Sequence, residues 1–154
     1  MWGPQALWLI CERNTTLKSL DLRGNNVGRQ LEDAPGLARM LSTSTALETL
    51  LLGRNSLGEL KNGLRGVGRG LGANKNLTVI DLSSNALYPD GTRAVCNALR
   101  TCLSLKVLDL SYNSPGREAA LPELLRYHKS LQSIGVTEKE PQTRSEKTVL
   151  STPP

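Results

Sequence analysis

The sequence predicts an α/β fold, a solenoid in which short parallel strands alternate with helices. Two observations predict it. A pattern of leucines and an asparagine recurs along the chain, and segments with helical spacing of apolar residues lie between its copies. Since one copy cannot bury its apolar face alone, stacked copies share a continuous core. We therefore expect a horseshoe with parallel strands on the concave face and helices on the convex face.

The repeated pattern is Leu-x-x-Leu-x-Leu-x-x-Asn, in which Ile replaces the middle Leu once. Full copies begin at Leu17, Leu47, Leu77 and Leu105, and a partial fifth copy begins at Leu131. The starts are separated by 30, 30, 28 and 26 residues. This register predicts parallel strands near residues 19–22, 49–52, 79–82, 107–110 and 133–136, with one helix between each successive pair.

Each position of the pattern has a physical reason. Alternating apolar residues such as Leu20 and Leu22 place two side chains on the inner face of a strand. The asparagine follows in a turn, where its amide can bond backbone groups that no helix or sheet satisfies. Stacked copies should therefore form a ladder of asparagine side chains. Pro115 stands where the other copies have an aliphatic residue, so the turn after Asn113 must differ.

The segments between the strands have the apolar spacing of helices. One runs from Asp90 to Arg100, and the first is expected to begin near Asp33 with Pro35 in its first turn. The last can begin at Pro122. The rhythm from Leu57 to Leu71 contains several interior glycines, each costing about 1 kcal/mol against alanine in a helix. We expect that helix to be the weakest, held by stacking rather than by propensity.

A resemblance to a known family follows from one repeat in particular. The residues Asn85-Ala86-Leu87, then Gly91, Ala94, Ala98-Leu99 and Leu105 resemble the ribonuclease-inhibitor-like class of leucine-rich repeats. That class includes the repeat regions of NOD-like receptors, Ran GTPase-activating protein and the tropomodulins. The resemblance covers about residues 5–137. It implies the fold, but it does not imply one activity, because these families share the repeat and differ in function.

The ends of the chain depart from the repeat. Residues 1–16 are interpreted as a partial repeat whose strand is missing or as an N-terminal capping helix near Gln5 to Arg13, and we favour a fragment or shortened form. Residues 17–137 hold the four full copies and the degenerate fifth strand. Residues 138–154 are polar and aperiodic, which predicts a disordered tail that can be removed with little loss of stability.

Composition narrows the classes of function. The net charge is +5, and aromatic residues make up 3% of the chain, which disfavours a nucleic-acid binder that stacks bases. Three cysteines cannot all pair within the chain and show no metal-ligand spacing, so we expect reduced thiols and no metal. The apolar run near Leu7 is too short for a membrane span or a signal peptide. We expect an intracellular, cytoplasmic protein with no cofactor and no small-molecule ligand.

Motifs that would carry catalysis are weak. Gly68-x-Gly70-x-x-Ala73 fits a loose dinucleotide fingerprint, but it does not follow a strand and lies where a repeat helix belongs. His128 has no predicted nucleophile beside it and is interpreted as a solvated or helix-terminal histidine. We predict no catalytic residues and a protein that is not an enzyme.

The predicted function is binding of another protein on the concave face. Asp21, Asp81 and Asp109 occupy one strand position in three repeats, and they form either a column that binds a basic partner or an ordinary feature of this repeat class. By residue type Arg54 and Tyr112 are the expected anchors. The full predicted contact set is Ser19, Asp21, Arg23, Thr49, Leu51, Arg54, Val79, Asp81, Ser83, Val107, Asp109, Ser111 and Tyr112.

Alternatives remain open. Lys61, Arg65 and Arg69 are spaced four apart, so they form a basic stripe on one helix, interpreted as a solvated face or as a contact for an acidic partner or phosphate. The chain could instead be an accessory or GTPase-activating regulator of a small GTPase, or a structural or actin-end-binding spacer. Arg23, Arg29 and Arg54 lie near the loops that such a regulator would use, but no motif selects them.

Overall fold

The computed structural model describes residues 4–29, 33–60, 62–114, 120–137 and 149–151. Helices and strands alternate along these residues as the repeat predicts. The helices are α1 (Pro4–Arg13), α2 (Asp33–Thr43), α3 (Asn62–Ala73), α4 (Pro89–Leu99) and α5 (Ala120–Tyr127), and a 3-10 turn spans Leu57–Leu60. The strands are β1 (Ser19–Asp21), β2 (Thr49–Leu51), β3 (Val79–Asp81), β4 (Val107–Asp109), β5 (Ser133–Gly135) and β6 (Val149–Ser151).

The strands form one sheet in chain order. β1 to β5 are parallel, and their registers align equivalent positions of successive repeats, as in Leu20–Leu50–Ile80. The helices pack on one another in the same order. The predicted α/β repeat fold is therefore confirmed, with each strand one residue shorter at its end than expected. The stretch predicted as one helix from Leu57 is divided into the 3-10 turn and α3, and α5 begins two residues before Pro122.

The core lies between the sheet and the helices and is built mainly from the repeated aliphatic positions. Leu50, Leu52, Ile80 and Leu82 are at most 1% exposed, which confirms that the predicted inner face of the strands points inward. The sulfur-containing side chains share this core. Cys11, Cys96 and Cys102 are buried free thiols, and burial raises the pKa of the Cys96 thiol to about 12.

The predicted asparagine ladder is present. The Oδ1 of Asn85 accepts hydrogen bonds from the backbone N–H groups of Asn55 (3.1 Å) and Leu57 (3.2 Å), while its Nδ2 donates to the carbonyl of Leu52 (2.8 Å). The same arrangement links Asn55 to the first repeat and Asn113 to the third. Each asparagine therefore satisfies buried backbone groups of the preceding repeat and holds two turns together.

In the first three repeats the turn around the asparagine contains two residues in the left-handed region. In the second repeat these are Arg54 (φ 59°) and Ser56 (φ 55°), and in the third they are Ser84 (φ 51°) and Ala86 (φ 52°). In the fourth repeat Ser114 does not adopt this conformation. A residue before proline is pushed towards extended backbone, so Pro115 explains the difference and the predicted change of turn is confirmed.

Glycines in α3 let the neighbouring helices approach closely. A Cβ added at Gly70 would lie 2.5 Å from the carbonyl oxygen of Ala38 in α2, and one at Gly72 would lie 2.3 Å from that of Ala98 in α4. Gly66 differs, because the nearest atom to a Cβ there would be the Ala38 Cβ at 3.9 Å. The glycines that lower helix propensity thus permit backbone contact on both sides of α3.

An additional element packs against the repeats at each end of the stack. α1 packs on α2, where its Trp8 side chain is 2% exposed and meets Gly36. At the other end β6 pairs antiparallel with β5, with Ile134 opposite Leu150. The prediction of a disordered tail is therefore wrong for residues 149–151, because the open edge of β5 offers backbone hydrogen bonds to this segment. The rest of the predicted tail lies outside the described residues.

Replacing Asn85 by alanine should unfold the stack more readily than replacing Asn25. Asn85→Ala leaves buried backbone groups of the preceding repeat without partners, at about 1–3 kcal/mol each, so we expect a loss of about 3 kcal/mol or more in urea unfolding. Asn25 is exposed, and its side chain donates only to the carbonyl of Arg23 at 3.2 Å. Asn25→Ala should change the free energy of unfolding by less than about 0.5 kcal/mol. Equal losses in the two variants would contradict the ladder.

The same substitution at two glycines of α3 should have opposite effects. Gly70→Ala forces a Cβ against the backbone of α2 and should lower the free energy of unfolding by about 1–3 kcal/mol. Gly66→Ala has room for the added methyl group and should raise it by about 0.5–1 kcal/mol through helix propensity. Thermal unfolding of both variants measures the difference. Stabilisation by Gly70→Ala would mean that α2 and α3 are farther apart than described here.

Candidate protein-binding face

The solvent side of the sheet, here called the open face, carries aligned rows of side chains across β1 to β5. This is the face that the sequence predicts to be concave. The first row is Ser19, Thr49, Val79, Val107 and Ser133, and the second is Asp21, Leu51, Asp81, Asp109 and Gly135. Neighbours within a row lie on adjacent strands, about 4.8 Å apart. Most of these residues are half-buried, whereas Ser19 and Asp21 on β1 are exposed.

The aspartates of the second row close the turns that follow their strands. The Oδ1 of Asp81 accepts a hydrogen bond from the backbone N–H of Ser83 at 2.8 Å, and Asp109 does the same for Ser111 at 2.9 Å. Asp21 accepts from the N–H of Arg23 at 3.1 Å. A carboxylate bonding two residues ahead stabilises a turn, which gives a structural reason for aspartate at this position.

The charges of this row differ in how far they are neutralised. Asp21 forms an ion pair with Arg23, with 2.7 Å between Oδ2 and the guanidinium nitrogen. That bond lowers the pKa of Asp21 and raises the pKa of Arg23, to which the charge of Asp81 also contributes. Among the described residues no cation lies within ion-pair distance of Asp81. Asp81 is therefore the most available negative charge at the centre of the face.

A glycine lies directly beside Asp81. A Cβ added at Gly53 would lie 3.0 Å from the Oδ2 of Asp81 and 2.9 Å from the Oγ of Ser83, so these two side chains pack closely against the glycine. In the adjacent repeats the equivalent positions are Arg23 and Ser83. The sequence analysis did not identify Gly53. The signal was available, because Gly53 is the small member of a row of polar residues.

The structure places most of the predicted contact residues on the open face, but one of them is buried. Arg23 and Arg54 are exposed, and Tyr112 is half-buried. The backbone of Arg54 and that of Tyr112 both have a φ of 59°. Ser111 is 1% exposed, so its prediction as a contact residue is wrong. The repeat pattern does not indicate this, since the equivalent Ser83 is half-buried.

A second column of polar side chains lies at the opposite ends of the strands and was missed by the sequence analysis. Its members precede each repeat's first leucine by three residues, and they are Asn14, Ser44, Asn74, Cys102 and His128. The Nδ2 of Asn74 donates to the carbonyl of Ser44 at 3.1 Å. The Nε2 of His128 donates to that of Cys102 at 2.8 Å.

His128 therefore has a structural role in this column. It follows α5 directly, as predicted for a helix-terminal residue, but it is 1% exposed, so the prediction that it is solvated is wrong. Since a carbonyl can only accept, Nε2 carries the proton and Nδ1 accepts from the Ser130 hydroxyl at 3.2 Å. Both ring nitrogens are occupied, so His128 is not available as a general base.

The arginines of the basic stripe and the loose dinucleotide motif predicted from the sequence lie on α3. Arg65 and Arg69 are exposed on α3, as predicted for the basic stripe, while the side chain of Lys61 lies outside the described residues. Gly68 and Gly70 lie inside α3, so the loose dinucleotide motif is helical. Across the part of the chain that the structure covers, no cluster of His, Cys, Asp or Glu could hold a metal ion. In that same part no helix is long and apolar enough to cross a membrane.

Comparison with known proteins agrees with this geometry. The family profile described as a leucine rich repeat matches residues 13–29 and 73–96. The chain is 37% identical over 87 residues to leucine-rich repeat-containing protein 45 of Gallus gallus, covering 56% of this chain. It is 36% identical over 101 residues to Ran GTPase-activating protein of Drosophila melanogaster, covering 62% of this chain.

The chain spans 13% and 17% of the lengths of these two relatives. The similarity therefore concerns the repeats and not the whole proteins. The repeat register, the asparagine ladder and these matches together show that the chain contains leucine-rich repeats similar to those of these two proteins.

Proposed function

We propose that this protein binds another protein on the open face of its sheet and performs no catalytic step. The observation that carries the proposal is the register of the second row, which aligns Asp81 and Asp109 on adjacent strands of one solvent-facing surface. Repeat surfaces of this kind are held rigid by the strands behind them, so a partner binds without ordering the surface first. The match to a leucine rich repeat supports a binding role.

The chemistry of the face favours a partner with a basic side chain among apolar ones. Asp81 offers a carboxylate without a cation among the described residues, and this carboxylate packs against Gly53. Val79, Val107 and Leu51 surround this charge with half-buried apolar surface. An arginine that reaches Asp81 could form two parallel hydrogen bonds while its neighbours cover the valines. We propose Asp81 as the centre of the interface and Tyr112 and Arg54 as its flanking anchors.

The buried thiols support a reducing compartment for this interaction. Cys11, Cys96 and Cys102 are free, and burial raises the pKa of each thiol, so they remain protonated and unreactive. We propose that the protein acts inside the cell.

Contact with a small GTPase is a second candidate. Its support is the 36% identity over 101 residues to a protein named as a Ran GTPase-activating protein. Arg54 is exposed on the turn after β2, where a repeat protein could reach a bound GTPase, whereas Arg23 is paired with Asp21. Adding the chain to GTP-loaded Ran and measuring phosphate release tests this candidate. Hydrolysis that stays at the intrinsic rate would reject the activating role. The spacer and actin-end alternatives stay predictions.

Neutralising the aspartate row should weaken partner binding without unfolding the protein. In the double variant Asp81→Asn with Asp109→Asn, each amide oxygen can still accept the turn hydrogen bond, while the negative charge is removed. We expect the affinity for a captured partner to fall about tenfold, and we expect Asp81→Lys with Asp109→Lys to abolish binding by repulsion. Affinity measured at two salt concentrations, beside melting temperatures, gives the result.

The matched control changes the same number of charges on the helix side. Glu59 and Glu123 are exposed and form no ion pair with the described residues. Glu59→Lys with Glu123→Lys should bind the partner as tightly as the parent. If this control loses binding while the aspartate variants keep it, the partner binds on the helices and the proposed face is wrong.

A further inference from the structure

A groove on the helix side of the molecule lies outside the proposed face. It runs between α3 and α4, encloses about 1060 Å³ and is open to solvent. Its lining on α4 combines the small residues Gly91, Ala94 and Ala98 with the longer Asp90, Arg93 and Asn97. The two helices pack closely beneath it, so the groove is a recess in the outer surface between the longer side chains.

The lining of this groove is positively charged. Arg65 and Arg69 contribute from α3 and Arg93 from α4, against the single carboxylate of Asp90, so the balance of these charges is +2 (three arginines minus one aspartate). Arg93 forms an ion pair with Asp90. No carboxylate among the described residues pairs with Arg65 or Arg69. Two exposed guanidinium groups thus face the groove with their hydrogen-bond donors available for carboxylates.

We infer that this groove binds an acidic segment of a partner protein in an extended conformation, with two carboxylates at alternate residues. Arg65 and Arg69 are one helical turn apart, so their Cα atoms are separated by about 6 Å along the axis. Side chains two residues apart on one side of an extended peptide are separated by about 6.6 Å. The two spacings match, so each carboxylate meets one guanidinium.

The remaining polar groups suit a peptide. Asn97 lies across the groove from the arginines, where its amide can both donate to and accept from a peptide backbone. Tyr88 is 63% exposed at the groove and offers a ring and a hydroxyl group. A nucleic-acid strand fits less well, because one tyrosine provides little surface for stacking bases.

The test uses the full chain and a synthetic peptide as the probe. The peptide acetyl-Gly-Ser-Glu-Ser-Glu-Ser-Gly-amide carries two glutamates at alternate positions. We expect it to bind and to shift the amide NMR signals of α3 and α4 rather than those of the strands. Arg65→Gln with Arg69→Gln should weaken its binding about tenfold, as expected for two solvent-exposed ion pairs, without lowering the melting temperature.

Matched controls make each outcome decisive. Arg39→Gln with Arg126→Gln removes two exposed arginines of α2 and α5 that do not line the groove, and it should leave peptide affinity unchanged. The isomer acetyl-Gly-Glu-Ser-Ser-Ser-Glu-Gly-amide has the same charge with the glutamates too far apart, and it should bind several-fold more weakly.

Several outcomes would overturn the inference. These are an unchanged affinity in the Arg65 and Arg69 variant, equal binding of the isomer, and signal shifts confined to the open face. Tighter binding of inorganic phosphate or of a short single-stranded oligonucleotide at the same residues would show a phosphate site instead. The aspartate variants of the open face should bind the peptide normally, so failure of one surface can be distinguished from failure of the other.

Discussion

The asparagine side chain after each strand is the constraint on which the rest of the structure depends. The turn that it occupies contains backbone groups which neither the sheet nor a helix can satisfy, and these groups lie inside the protein. Asn55 and Asn85 are fully buried and bond backbone atoms of the repeat before them. An amide is suited to this position because it has an acceptor and donors on one short, planar group. The strands, and hence both rows of the open face, keep their register because these turns are fixed.

The second polar column applies the same principle where the helices return to the strands. Its side chains vary, since Asn74 and His128 donate to a carbonyl of the preceding repeat while Cys102 only approaches a serine hydroxyl. The neighbouring Ser104 donates to the carbonyl of Leu77 at 2.8 Å and supplies the link that Cys102 lacks. A carbonyl in this place can be satisfied by several kinds of donor. That tolerance explains why no single residue type marks the column.

The sequence predicts most of the fold because the leucine and asparagine positions carry direct physical constraints. It predicts less where the outcome depends on neighbours in space. From the sequence, the glycines of α3 only lower its helix propensity. The packed structure shows that Gly70 and Gly72 also allow the backbones of α2 and α4 to approach. The burial of His128 and Ser111 and the pairing of residues 149–151 with β5 likewise result from contacts between repeats.

For the candidate site the sequence indicates the face and the aspartates, because strand alternation fixes which residues point outward. It does not indicate which aspartate is available, since that depends on a cation reaching it. Arg23 folds back onto Asp21 within its own turn, whereas the equivalent residue after Asp81 is Ser83, which has no charge. The residue two positions after the aspartate thus decides whether the carboxylate is neutralised, as Asp21 is by Arg23, or left for a partner, as Asp81 is beside Ser83.

The net charge of +5 describes neither surface of this protein. Carboxylates gather on the strand side at Asp81 and Asp109, while arginines gather on the helix side at Arg65 and Arg69. At physiological ionic strength charges are screened beyond about 8 Å, so a partner responds to the groups that it touches and not to the total. One molecule of this protein could therefore bind a basic partner on the sheet and an acidic peptide on the helices at the same time, because the strands and the core separate the two surfaces.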